Sequence, residues 1–183
     1  MPENWCNVSI IDCGESALGK TLDREKNEGD MVPYLCALNV QDGWFDLSTI
    51  KKFRLKESEK DRYSVRSGDL MICEGGDVGR CAIWTGNTIF YQNALHRLRP
   101  YEGIKTEFLR LVLSHYRNNG WIEDLCSGVT IKHFTQKSMG KIIIGLPPTM
   151  EQGRIVDEVC RLFSILDKIL VNLTESRLHP GSH

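Results

Sequence analysis

The chain has 183 residues, 41% of them apolar and 26% charged, with a net charge of −1. That composition supports one well-buried domain and excludes both a disordered chain and a polycation that holds DNA by charge alone. The longest apolar runs are a few residues, which excludes a membrane-spanning helix, and the opening MPENWCNVSIIDC has neither the basic nor the apolar stretch of a secretory signal.

Seven cysteines, at 6, 13, 36, 73, 81, 126 and 160, form no C-x-x-C pair. Their scatter lacks zinc-ligand spacing and predicts reduced thiols in a cytoplasmic protein.

Val8 to Cys13 predicts a short strand, and GESALGKT (14–21) after it matches the Walker A pattern G-x-x-x-x-G-K-[ST] at every fixed position. A phosphate-binding loop also needs a helix opening at its Lys-Thr end, with an apolar face to pack on a sheet. The following TLDREKNEGD has one apolar residue in a run of charges. An exposed turn between strands is therefore the expected role, with a nucleotide-binding enzyme as the alternative.

Pro33 to Val40 predicts a second strand, closed by the turn signal Gln41-Asp42-Gly43. Residues 51–66 carry seven Lys/Arg against three Asp/Glu and residues 79–148 nine against four, whereas residues 1–50 are acidic by six. These basic segments suit a face for an anionic partner, although 51–66 alone reads more plainly as a solvated mixed surface. Ser67-Gly68-Asp69 introduces LMICE, the Gly-rich 74–80 turns the chain, and RCAIW returns it as a hairpin whose glycines supply positive φ. Ile89 to Leu98 alternates as one further strand.

Thr106 to Asn118 predicts a helix, apolar at 108, 109, 112, 113 and 116 and stopped by Asn119-Gly120. Lys141 to Leu146 is a strand closed by Pro147-Pro148. Thr149-Met150-Glu151-Gln152 then fits a capping box. Behind it Ile155, Val159, Leu162, Leu166, Ile169 and Leu173 follow at intervals of 4, 3, 4, 3 and 4, the seam of a coiled coil. A helix from 150 to 178 is roughly 43 Å long, too long for a domain of this size to cover. Its seam is expected to face a partner, and Val156, Cys160, Phe163 and Leu170 widen the apolar surface.

The expected fold class is α/β (α+β): a strand-rich domain over 1–148 with a few helices, and a long coiled-coil-type helix over 149–178. The tail 179–183 reads as a tag remnant. No catalytic centre is legible, because there is no N-P-P-[YF] tetrapeptide, no Gly-rich Rossmann turn and no paired carboxylates. His96, His115 and His133 share no metal-like spacing.

Four stretches, taken together, resemble the specificity (S) subunits of type I restriction-modification systems. They are PENW with GKT some fifteen residues on, SGDLMICEGGDVGRCAIW, YQNALHRLRP and MGKIIIGLPPTMEQGRIVDEV, in the family's order and spanning residues 2–175. The resemblance implies a non-catalytic target-recognition domain that reads one half of a split double-stranded DNA site. Methyltransferase (M) subunits would bring S-adenosylmethionine, and restriction (R) subunits ATP and Mg²⁺, so this chain itself needs no cofactor or metal.

For such a domain, Lys20, Thr21 and Arg80 are the expected phosphate contacts. Gln92, Asn93, Thr130, Lys132 and His133 have side chains suited to base edges, with the 128–133 stretch GVTIKH foremost. Full subunits of the family carry two such units with antiparallel helices. A single unit therefore reads as the amino-terminal half of a longer subunit, or as a half-subunit that dimerises. Ile155 to Leu173 then seek a second S half or a second copy. A protein-interaction adaptor without DNA binding is the remaining alternative, and the DNA sequence read is not legible.

Overall fold

A computed structural model of the protein describes residues 2–23, 27–126, 128 and 132–178. Its centre is β6 (Leu70–Cys73), whose four residues are all buried. β6 pairs antiparallel with β7 (Cys81–Ile83) and with β9 (Leu95–Pro100), and β9 with β2 (Gly14–Leu18), in the order β2-β9-β6-β7. The two-residue period of the strands sorts side chains to opposite faces. Leu70, Ile72, Cys81 and Leu98 enter a core with Phe108, Leu109, Leu113 and Phe134. Met71, Cys73, Ala82 and Leu95 enter a second core with Leu35, Val65, Trp84 and Tyr91. LMIC is a continuous apolar run because both of its faces are covered.

The second core is closed by another four-stranded sheet, in the order β4-β3-β8-β5, formed by β3 (Asp30–Leu35), β4 (Lys51–Leu55), β5 (Ser64–Val65) and β8 (Ile89–Tyr91). The stretch expected as one strand from Ile89 to Leu98 is therefore two, β8 and β9, in different sheets. Alternation persists across both, so the intervening turn at 92–94 is invisible in the pattern. β4, within the basic 51–66 run, turns Phe53 and Leu55 inward and leaves its cations outside.

The first core is covered by α1 (Thr106–Asn118), α2 (Trp121–Leu125) and α3 (Gln136–Met139). A two-stranded ribbon of β1 (Cys6–Ser9) and β10 (Ile143–Leu146) completes that side. The predicted strand at Val8 to Cys13 is the end of β1 followed by a 3-10 turn at Ile10–Cys13.

α4 (Thr149–Leu178) leaves the domain here. The capping-box reading is corrected. Thr149 lies inside the helix and donates its hydroxyl to the Gly103 carbonyl at 2.7 Å. Gln152, only 1% exposed, accepts from the Lys105 N–H at 2.8 Å and donates to the carbonyls of Pro147 (2.9 Å) and Gly103 (3.3 Å). The pair staples the loop before α1 to the root of α4, a tertiary use that outweighs local capping. No helix among the described residues is long and apolar enough to cross a membrane. The tail 179–183 lies outside the described residues.

Candidate nucleic-acid interface

GESALGKT forms no phosphate loop. Gly14 to Leu18 is strand β2, paired residue by residue with β9, and the Gly19 N–H goes to the Leu95 carbonyl at 2.9 Å. The strand pairing therefore occupies backbone that a phosphate cradle would have to leave free, and the expected exposed turn is corrected with it. The two glycines of the motif have a packing reason. A Cβ on Gly14 would sit 2.3 Å from the Arg99 carbonyl oxygen, and one on Gly19 would sit 2.2 Å from the Gln92 carbonyl carbon. The lysine is committed too. Lys20 is ion-paired to Glu59 and lies 5.3 Å from the Tyr63 ring centroid, and its side chain is 12% exposed. The same bond to Lys20 holds the Glu59 carboxyl below its ordinary range.

This close approach of Gly19 to Gln92 brings dispersed residues together. Lys20 bridges Gln92, and the Asn93 N–H donates to the Lys20 carbonyl at 2.9 Å. Next to them the Glu74 N–H donates to the Ala94 carbonyl (2.9 Å) and the Phe134 N–H to the Glu74 carbonyl (2.7 Å). One strip of surface therefore runs from Thr21 and Lys20 across Gln92 and Asn93, past the 74–79 hairpin, to Lys132 and His133. Gln92 and Asn93 are half-buried and make no side-chain hydrogen bond among the described residues; Thr21, Lys132 and His133 are exposed. Lys132 pairs with Glu123 at 3.2 Å on the rim. Thr130 lies outside the described residues.

Arg80 is drawn away from the strip. Its guanidinium donates to the Ala37 carbonyl at 2.8 Å and pairs with Asp77 at 3.5 Å, which ties the hairpin to the loop after β3. Other arginines of the basic 79–148 stretch behave alike. Arg97, 1% exposed, bonds the Ser64 carbonyl (2.7 Å) and the Glu15 carboxylate; Arg99 grips Asp69 through two bonds of 2.8 Å; Arg117 joins Asp42 and Asp77. Much of the local positive charge is thus internal bracing, and of the 51–66 cations Lys56, Lys60 and Arg66 are paired with Glu28, Asp30, Glu57 and Asp61. The long-range partners are not signalled by spacing, since Arg117 and Asp42 are 75 residues apart.

Three of the buried cysteines are held in the thiol form. All seven thiols are free, and burial pushes Cys13 and Cys73 up to about 11 and Cys81 up to about 12, far from the thiolate form. No group of three or more metal-ligating side chains occurs among the described residues.

The second candidate surface is α4. Ile155 and Val156 pack on the first core and Val159 is half-buried, but Leu162, Leu166, Ile169 and Leu173 are 47–56% exposed. Where the helix departs, an apolar cleft of about 650 Å³ opens between it, α1 and β10, lined by Trp5, Tyr116, Trp121, Ile155, Val159 and Phe163 among others. A contiguous bare apolar surface of this kind is a candidate interaction site.

Residues 2–175 match the family model described as the type I restriction modification DNA specificity domain. The chain is 25% identical over 175 residues to the type I restriction enzyme EcoBI specificity subunit of Escherichia coli, a match covering 92% of this chain and 37% of that protein. It superposes on a chain from a structural study of complex assembly and conformational transition in the type I R-M system (TM-score 0.72, 19% identity, 96% of this chain and 42% of that one). It also superposes on the HsdS subunit from Thermoanaerobacter tengcongensis (TM-score 0.62, 20% identity, 100% of this chain and 41% of that one). Both structures share the strand-rich fold with its long terminal helix. The chain spans about two-fifths of the length of these relatives.

Proposed function

The chain belongs to the family of type I restriction-modification DNA specificity domains, and from that premise we propose that it reads one half of a split double-stranded DNA site for a methyltransferase and restriction complex. The observation that carries the reading beyond family membership is the assembly of Gln92, Asn93, Lys132 and His133, far apart in sequence, along one strip joined by backbone hydrogen bonds. The amides of Gln92 and Asn93, with spare donors and acceptors, are suited to base edges, as is an exposed imidazole such as that of His133, and the exposed Lys132 to guanine or to phosphate. Lys20 and Arg80, the expected phosphate contacts, also brace this surface through Glu59, Ala37 and Asp77.

In this reading the domain carries out no chemistry. Methyl transfer with S-adenosylmethionine and ATP-driven restriction, with its Mg²⁺, belong to the M and R subunits, and the assembly works in the cytoplasm. α4 is the scaffold: its bare outer seam takes a second S half, or a second copy, and the methyltransferase subunits gather around the pair.

The test is selection from a pool of random duplexes, with the protein alone and with its M subunit, at two salt concentrations. Enrichment of one short half-site, with binding that weakens steeply with salt, is the expected result. Stable M-subunit binding with no enriched sequence would refute DNA reading by this unit.

A further inference from the structure

We infer that His96 is a positioning residue for base reading: its buried imidazole holds the backbone at Phe134, and thereby sets Lys132 and His133 relative to Gln92 and Asn93. The inference rests on the DNA-reading function proposed above and adds to it a residue that never touches DNA.

His96 sits on β9 two residues before Leu98, so both point into the first core, where strand alternation calls for an apolar side chain. It is 1% exposed. Its Nε2 lies 3.0 Å from the Phe134 carbonyl oxygen. A carbonyl only accepts, so Nε2 carries the proton and Nδ1 does not. Nδ1 is itself buried with no partner among the described residues. The tautomer is therefore set by this one contact, and burial disfavours the charged ring, working against the opposing influence of Glu74.

Phe134 is held at both backbone groups, its N–H by Glu74 at 2.7 Å and its carbonyl by His96 at 3.0 Å, while its ring is fully buried. The chain emerges just ahead of it as exposed Lys132 and His133. Glu74 is bound in turn to Ala94, the neighbour of Asn93. Among the described residues two ties thus align Phe134 with the rest of the strip, one from the hairpin and one from beneath. Only the second depends on a side chain. Removing the imidazole frees the carbonyl end and leaves the sheet pairings and the Glu74 tie in place, so the loss falls on the position of Lys132 and His133.

The experiment compares the wild-type chain with His96→Leu, His96→Gln and His96→Asn on the half-site enriched from the random pool. Every single-base substitution of that site is measured at two salt concentrations. Glutamine places an amide N–H near the position of Nε2, whereas asparagine is too short to reach it. The expected result is that His96→Leu and His96→Asn lose about tenfold discrimination at one or two base positions with an unchanged salt slope. His96→Gln restores the discrimination, and the ¹⁵N spectrum of the wild-type imidazole shows the neutral Nε2–H form at pH 7.

If His96→Leu does not fold, the Asn and Gln pair decides. A folded Asn variant with the wild-type base profile overturns the inference, as does a profile that weakens equally at all positions, a folded Gln variant that fails to restore it, or an Nδ1–H tautomer. A wild-type protein that enriches no sequence overturns the functional reading and this inference with it.

Discussion

The outer half of α4 and the strip from Lys20 to His133 are both exposed, yet they are built by opposite rules. The helix surface is apolar and regular: Leu162, Leu166, Ile169 and Leu173 repeat every three or four residues and are bare because the domain ends below them. The strip is polar and irregular, assembled from the ends of β2 and β8, a hairpin tip and the segment before α3, and held by backbone hydrogen bonds. A surface that repeats along one element needs only that element to be correct. A surface drawn from four segments needs the whole fold, and damage far from it disturbs it.

The largest expected effect sharpens the first half of that contrast. Leu166→Glu with Ile169→Glu should weaken helix pairing about a thousandfold, given roughly 2 kcal/mol for each buried side chain, with little change in the melting temperature of the domain. Analytical ultracentrifugation beside calorimetry checks both; an equal fall in domain stability would mean that the seam packs on its own domain.

Gly19→Ala attacks the strip through its packing. A Cβ 2.2 Å from the Gln92 backbone forces β2 and the 92–94 turn apart, at a cost of about 2–3 kcal/mol in urea unfolding. Had the glycine served a nucleotide instead, alanine would be tolerated without ligand, so wild-type stability would break the packing account.

Gln152→Leu should cost about 2 kcal/mol by leaving the Lys105 N–H and the Pro147 carbonyl without their partner. It would loosen the root of α4 and not its seam, which amide exchange along the helix resolves.

Acid provides a milder probe. Burial places the folded-state pKa of His96 below the ordinary value of 6.5, so the unfolded chain takes up a proton that the folded one refuses. Its contribution is intact above about pH 6.5 and is lost as pH falls below that, and His96→Gln should flatten this part of the stability curve. An unchanged slope in the variant would show that His96 titrates normally. The smallest effect belongs to Lys132→Ala, which removes a rim pair with Glu123: stability should move by less than about 0.5 kcal/mol, while the salt slope of DNA binding falls by about one if the lysine meets a phosphate.

How much was legible follows the same division. The α1 boundaries, the LMIC hairpin and the seam of α4 could be read because each is a local pattern with its own stop signals. Gln152 could be recognised as special but was misassigned, since a capping box and a tertiary staple place the same residue types at the same spacing. His96 carried no signal at all, because one buried histidine becomes meaningful only when the carbonyl it meets is known.

The sequence by itself determined α1, the LMIC hairpin, the family and the long helix with its apolar seam, since periodicity, turn residues and ordered short motifs are local properties of a chain. Only the tertiary structure decided that GESALGKT is a paired strand, that Arg80, Arg97, Arg99 and Arg117 are internal braces, and that Gln92, Asn93, Lys132 and His133 share one surface. Charge counts and motif matches record which groups are present. Which of them meet depends on strand pairing and burial, and in a crowded interior the partner, more than the side chain's own chemistry, sets what each group can do.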